Sequence, residues 1–236
     1  MKKKIIITGG SGRFGKILRK YSTKYNLLFP NKKELNILNE KNVKRYLTKN
    51  KADILIHLAG LSRPMKIHEK DIIKSINLNV VGTANITKAC HEKNIKLIYF
   101  STNYVYPGVK GNYRESDPVF PVNSYAWSKL GGEASVQLYK KSLILRVCMT
   151  EKPFVHKTAF VNVKTSFMYQ EEVAKILFKL LNKKGIINIG GNSKFIFDFA
   201  KKDNPNIKKK YLRKKNNYGV PIDSSMNLSK LKKIIF

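Results

Sequence analysis

The apolar residues of this chain fall into short unbroken runs separated by stretches of helical spacing. Lys2 to Thr8 reads KKKIIIT, a β-branched run without alternation, as expected of a parallel strand covered on both faces. Lys16 to Tyr21 has the spacing of a helix. Asn26 to Pro30 predicts a second strand, Glu40 to Lys49 a helix, and Asp53 to Gly60 (DILIHLAG) an apolar strand ending in small residues. Ile72 to Glu92 predicts one long amphipathic helix. Gly82 in its middle costs helix stability and therefore points to close packing there. Ile95 to Phe100 predicts another strand, and Val109 to Ser124, with Gly, Asn, Asp and prolines, a loop. A helix begins near Ser124, where Gly131-Gly132 permit tight packing, and Ser142 to Met149 predicts a fifth strand. Beyond Thr150 the spacing predicts two short strands within Phe154 to Phe167, and a helix over Glu171 to Leu181 with Val173, Ala174, Ile176, Leu177 and Leu180 on its apolar face. A strand over Ile186 to Ile189 and part of a helix over Phe195 to Ala200 follow. This alternation predicts an α/β fold: a doubly wound parallel sheet of Rossmann type with a small, shortened C-terminal substrate subdomain. The expected division is 1–150 for the dinucleotide-binding domain and 151–236 for the substrate-binding subdomain.

Composition narrows the class. The chain has 236 residues, of which 42% are hydrophobic, enough for a sizeable core. It contains no apolar run near the length of a spanning helix, and Ile5-Ile6-Ile7 is too short for a secretory leader. Cys90 and Cys148 lie in apolar segments and read as two buried free thiols, so a cytoplasmic location is expected. Lys and Arg number 47 against 15 Asp and Glu, a formal charge of +32. Such a field attracts anionic ligands, nucleotide diphosphates among them. Nucleic acid is not the expected partner, because Lys, Asn and Ile are abundant along the whole chain and the basic residues are not interleaved with aromatics in one block. The densest basic stretch is the tail, with Lys208-Lys209-Lys210 and Arg213-Lys214-Lys215.

Four stretches carry candidate chemistry. The first strand runs into Gly9-Gly10-Ser11-Gly12-Arg13-Phe14-Gly15 and then into a helix, the context that a dinucleotide fingerprint requires. Gly9, Gly12 and Gly15 permit a tight turn and close approach of backbone to a pyrophosphate, which the helix N-terminus favours. At the end of the second strand, where a ribose-binding carboxylate is usual, the chain gives Pro30-Asn31-Lys32-Lys33, and Arg13 lies in the glycine loop. Cations without a carboxylate suit a 2′-phosphate, so NADP is favoured, with NAD as the alternative. Ala59 and Gly60 would let backbone pass close to the same cofactor, and His57 reads as a packed residue rather than a base. Tyr125 and Lys129 stand one helical turn apart. A phenol titrates near pH ~10. An ammonium beside it stabilises the phenolate and makes it a better acid at neutral pH.

Taken with TGGSGRFG (8–15), HLAG (57–60), NVVGT (79–83), FSTNYVYPG (100–108) and YAWSK (125–129), the chain resembles the extended short-chain dehydrogenase/reductases. Its likeness is greatest to the dTDP-4-dehydrorhamnose reductase subfamily, through Ser101-Thr102-Asn103-Tyr104-Val105, the run from Tyr125 to Glu133, and SSMNLSKL (224–231). The resemblance implies that Tyr125 donates a proton to a carbonyl oxygen, that Lys129 lowers the tyrosine pKa and holds the nicotinamide ribose, and that Thr102, rather than Ser101, orients the reacting oxygen. Asn79 resembles the helix asparagine that supports this geometry. The implied activity is NADP(H)-dependent reduction of a nucleotide-linked 4-keto-6-deoxy sugar. Asn103-Tyr104 stands where sugar-nucleotide 4,6-dehydratases carry Asp-Glu, which argues against dehydration. A 4-epimerase, and a non-catalytic NADP-binding regulatory subunit suggested by the compressed stretch Val161 to Gln170, are the alternatives. The resemblance also leaves a homodimer open. Arg146, inside a strand, is expected either to reach a phosphate or to pair with a carboxylate.

Overall fold

The computed structural model describes residues 2–21, 23–213 and 219–235; Lys214 and Lys215 of the basic tail lie outside them. The strands are β1 (Lys4–Thr8), β2 (Asn26–Leu28), β3 (Ile54–His57), β4 (Lys96–Thr102), β5 (Ser142–Val147), β6 (Met149–Thr150), β7 (Thr158–Phe160), β8 (Lys164–Thr165), β9 (Met168–Tyr169), β10 (Gly185–Ile189), β11 (Lys194–Phe195) and β12 (Lys208–Lys210). The helices are α1 (Arg13–Lys20), α2 (Glu40–Asn50), α3 (Ile67–Lys70), α4 (Ile72–Ile76), α5 (Gly82–Glu92), α6 (Ser124–Gln137), α7 (Gln170–Leu177), α8 (Ile196–Ala200) and α9 (Ser229–Ile235). Six strands form the central sheet in the order β10-β5-β4-β3-β1-β2. β1 pairs in parallel with both β2 and β3, and β3 in parallel with β4. The chain leaves β1 toward β2 and then crosses back to β3, so the strand order reverses beside β1. In such sheets ligands bind at that reversal, outside the carboxyl ends of the strands.

The chain divides into two compact units, residues 1–101, 127–145 and 181–186 forming one, and 102–126, 146–180 and 187–236 the other. In the first, Ile6, Leu55, Leu97, Tyr99 and Ile144 face a core completed by Val43 and Leu47 of α2, Ile86 and Ala89 of α5, and Val136 of α6. Alternate strand residues turn to the opposite face, where Phe14 of α1 lies 5.3 Å from Phe100 of β4. Both faces are thus covered, which is why the strands read as unbroken apolar runs. The second unit has its own core of Phe154, Ala159, Val163, Ile196, Ala200 and Ile207.

Several elements depart from the sequence expectation for local reasons. β2 ends at Leu28. Pro30 has no amide to give a ladder, and Arg19 Nη2 takes the Phe29 carbonyl at 3.2 Å. The long helix is not continuous: a π-helical turn, Asn77–Val81, separates α4 from α5. α7 closes at Leu177 and passes into turns in which the Lys179 and Leu180 amides donate to the carbonyls of Ile176 and Leu177. Gly82 and Gly132 do mark close packing: a Cβ on Gly82 would stand 2.7 Å from Ile37 Cδ1, and one on Gly132 2.5 Å from Asn79 O.

Candidate active site

The glycine turn after β1 is shaped by backbone. Gly9 has φ +72°, and a Cβ there would lie 2.7 Å from the Ala59 amide nitrogen, so only glycine fits between the loops after β1 and β3. Gly12 N donates to Gly9 O at 2.9 Å and caps α1 without any side-chain bond. The first-turn amides of α1, Arg13, Phe14 and Gly15 among them, have no acceptor within the helix itself. The Phe14 ring is buried against Phe100, so what this residue offers a ligand is backbone. Gly15 comes so close to the turn that a Cβ would sit 2.5 Å from Gly9 O. Arg13 Nη2 reaches Ser62 Oγ at 3.3 Å, and Lys32 is exposed beyond β2. Glu34, the carboxylate that follows β2 in sequence, is turned back to accept from the Asn31 amide at 2.7 Å. Arg19 braces the turn: Nε donates to Gly10 O at 3.0 Å and the guanidinium covers the Phe29 ring at 4.5 Å.

Behind this turn lies a buried polar row. Register pairs Thr8 with His57 and His57 with Tyr99. Thr8 Oγ1 is 2.8 Å from His57 Nδ1 and accepts from the Ala59 amide at 3.2 Å; His57 Nε2 is 3.2 Å from Thr83 Oγ1. Burial first, and the charge of Lys129 second, push the His57 imidazole down to about 3, so it is neutral at physiological pH. His57 is packed rather than poised as a base, in agreement with the sequence reading.

The π-helical turn presents Asn79, which is buried. Its Oδ1 accepts from the Leu61 amide at 2.7 Å, and its Nδ2 donates to Leu61 O at 2.9 Å and Ser128 Oγ at 2.8 Å. One side chain thereby ties the loop after β3 to α6. Gly60 has no room for a Cβ, which would lie 2.7 Å from the same Oδ1.

Tyr125 and Lys129 both lie on α6, one turn apart. Tyr125 is half-buried, and the Asn123 side chain accepts from the Ala126 amide at 2.8 Å where the helix begins. Burial pushes the Lys129 ammonium down to about 7, with Glu133 pulling the other way. Lys129 Nζ stands 4.2 Å over the Tyr99 ring, and Tyr99 OH donates to Lys129 O at 3.0 Å. One turn on, Glu133 Oε2 accepts from Ser101 Oγ at 2.6 Å. Tyr99 and Ser101, two apart on a strand, meet Lys129 and Glu133, four apart on a helix, because the two spacings are nearly equal, at roughly 6 to 7 Å. Tyr99 and Ser128 were not singled out from sequence, and Glu133 only as the end of the run from Tyr125; strand parity running back from Ser101 is the signal that finds Tyr99.

Thr102 ends β4 on the face opposite Ser101. It is buried, and its Oγ1 accepts from the Tyr104 amide at 3.3 Å. Asn103 is also buried, with Nδ2 donating to Ser224 Oγ, Ser224 O and Thr165 Oγ1 at 3.0, 3.2 and 3.3 Å. Arg146 is buried on β5. Its Nη1 donates to Tyr106 OH at 3.0 Å and Glu115 O at 3.2 Å, and its plane lies 4.9 Å from the Tyr106 ring.

The profile of one family, RmlD substrate binding domain, matches residues 2–182. The chain belongs to this family. Among its relatives is a methionine adenosyltransferase 2 subunit beta from Xenopus laevis, 32% identical over 155 residues, which cover 61% of this chain and 46% of that protein. A dTDP-4-dehydrorhamnose reductase from Aggregatibacter actinomycetemcomitans is 30% identical over 152 residues, covering 62% of this chain and 51% of the relative. The chain thus spans about half the length of the curated relatives it matches. In fold, it is similar to the crystal structure of a dTDP-4-dehydrorhamnose reductase from Bacillus anthracis str. Ames in complex with NADP, with a TM-score of 0.88 and 24% identity over 100% of this chain and 94% of that one. The RmlD family places the motifs from the first glycine turn through α6 within a single matched segment.

Proposed function

We propose that the chain is an NADP(H)-dependent reductase of a nucleotide-linked 4-keto-6-deoxy sugar. The observation that carries this reading is α6, which bears Tyr125 and a half-buried Lys129 whose ammonium is held near neutrality. The glycine turn fits a dinucleotide: its backbone passes where side chains have no room, and the first turn of α1 offers amides without side-chain caps. Gly9, Gly12, Arg13, Phe14, Gly15, Ala59 and Gly60 would line that cofactor. Lys32 and Arg13, with Glu34 folded back on Asn31, favour a 2′-phosphate. NADPH held there would supply the hydride for the carbonyl carbon. Tyr125 gives its phenolic proton to the carbonyl oxygen, and the Lys129 charge stabilises the phenolate left behind. Thr102 orients the oxygen by donating to it; the Ser101 hydroxyl, spent on Glu133, does not compete.

The likeness to a methionine adenosyltransferase subunit supports a second reading, a cofactor-binding regulatory subunit. One experiment separates them. Wild-type protein should consume NADPH with a nucleotide-linked 4-keto-6-deoxy sugar, followed by absorbance. Tyr125→Phe should lower turnover by roughly 10²- to 10⁴-fold while NADPH still binds. Tight NADPH binding without turnover of any keto-sugar nucleotide would favour the regulatory reading. Undiminished turnover in Tyr125→Phe would remove the phenol from the mechanism.

A further inference from the structure

We infer that Tyr99 is a positioning residue for Lys129, gripping it at both ends, an inference that rests on the reductase reading for Lys129's role in turnover. The ring face of Tyr99 lies 4.2 Å from Nζ, within the range in which an ammonium is drawn to an aromatic face. The phenol of the same residue donates to the backbone carbonyl of Lys129 at 3.0 Å. The strand residue therefore fixes both the α6 backbone at Lys129 and the far end of its side chain.

Gly132 provides independent support. A Cβ there would lie 2.6 Å from Tyr99 Oη and 2.5 Å from Asn79 O. The glycine lets α6 approach β4 closely enough for the phenol to reach the helix backbone. The ring is backed in turn by His57, whose centroid lies 6.0 Å away in a stacked arrangement. His57 is held by Thr8 and Thr83 and carries no charge to compete with the ammonium. The titratable and charged groups around Lys129 include Tyr125 and Glu133 on α6, Tyr99 on β4, His57 on β3 and His68 on α3, the last lowered mainly by burial with the Lys129 charge adding to it. Of these, Glu133 and the face of Tyr99 favour the ammonium.

The test reads the titration of Lys129 without any sugar substrate. Amine labelling is measured against pH, with the Lys129 peptide resolved by mass spectrometry. Tyr99→Phe, which keeps the ring face and loses the bond to Lys129 O, should lower the midpoint less than Tyr99→Leu does. Tyr99→Leu should lower it by about half to one pH unit. Should Tyr99→Leu fail to fold, mono-, di- and trifluorinated phenylalanine at position 99 weaken the ring face at nearly constant shape and should lower the midpoint stepwise. A flat fluorinated series, or a Tyr99→Phe midpoint as low as that of Tyr99→Leu, would overturn the inference. Because labelling needs no turnover, a protein that reduces no keto-sugar yet shows the stepwise series would count against the reductase reading alone. An active reductase with a flat series would count against Tyr99 alone.

Discussion

At the scale of single residues, chemistry that looks alike in sequence separates once bonds are assigned. Ser101 and Thr102 are adjacent hydroxyls, yet one is bound to the buried Glu133 and the other caps the 3-10 turn Asn103–Val105. Asn103 belongs to the same stretch. Its amide nitrogen faces a carbonyl and two hydroxyls, so the position requires a donor. Asn103→Asp would set a carboxylate oxygen against Ser224 O in a buried site. The expected cost at neutral pH is about 1 to 3 kcal/mol, more than for Asn103→Ala. Toward pH 4 the deficit of the aspartate should shrink, since a protonated carboxyl can donate again. Urea unfolding of both variants at the two pH values checks this, and an aspartate as stable as wild type at neutral pH would refute it. Such bonds were not legible in the sequence, because the partners of Asn103 come from residues 165 and 224. The fingerprint glycines were legible, since their constraint is local backbone geometry.

At the scale of elements, strands and helices were read from periodicity, while their interruptions were not. The π-helical turn that carries Asn79 leaves no trace in the apolar pattern from Ile72 to Glu92; it inserts a wide turn without changing which residue types are present. The row across β1, β3 and α5 is likewise a product of register. His57 in that row gives the element a pH dependence. Its folded value is about 3 against 6.5 in the unfolded chain. Below pH 6.5 the unfolded state takes up a proton that the folded state does not, so this residue's contribution is lost progressively as pH falls from 6.5 toward 3. Thermal melts across that window should show the wild type losing stability more steeply than His57→Asn. Parallel pH slopes for the two proteins would mean that His57 titrates normally in the fold.

At the scale of the whole molecule, the charge is the property that sequence states most openly and structure redistributes least. Net charge follows from composition alone, and 15 acids cannot pair 47 bases. The ion pairs Lys44–Glu40, Lys44–Glu92, Lys88–Glu40 and Lys110–Asp117 join partly or fully exposed side chains and contribute little. Structure adds where some cations go: Lys209 and Lys210 of the tail lie over the Phe197 and Phe160 rings at 5.6 and 4.9 Å, covering the second unit's own aromatic residues. The remaining positive charges repel one another in the compact state more than in the expanded one. Salt shortens that repulsion, since the screening length falls from about 30 Å at 0.01 M to about 8 Å at 0.15 M. The melting temperature should therefore rise by several degrees between low and physiological NaCl, the reverse of what a fold dependent on surface ion pairs would show. Sodium chloride is the right probe, because sulfate would add its own general stabilisation of buried apolar surface. A melting temperature that falls as NaCl is added would show that attractive pairs outweigh the excess of like charge.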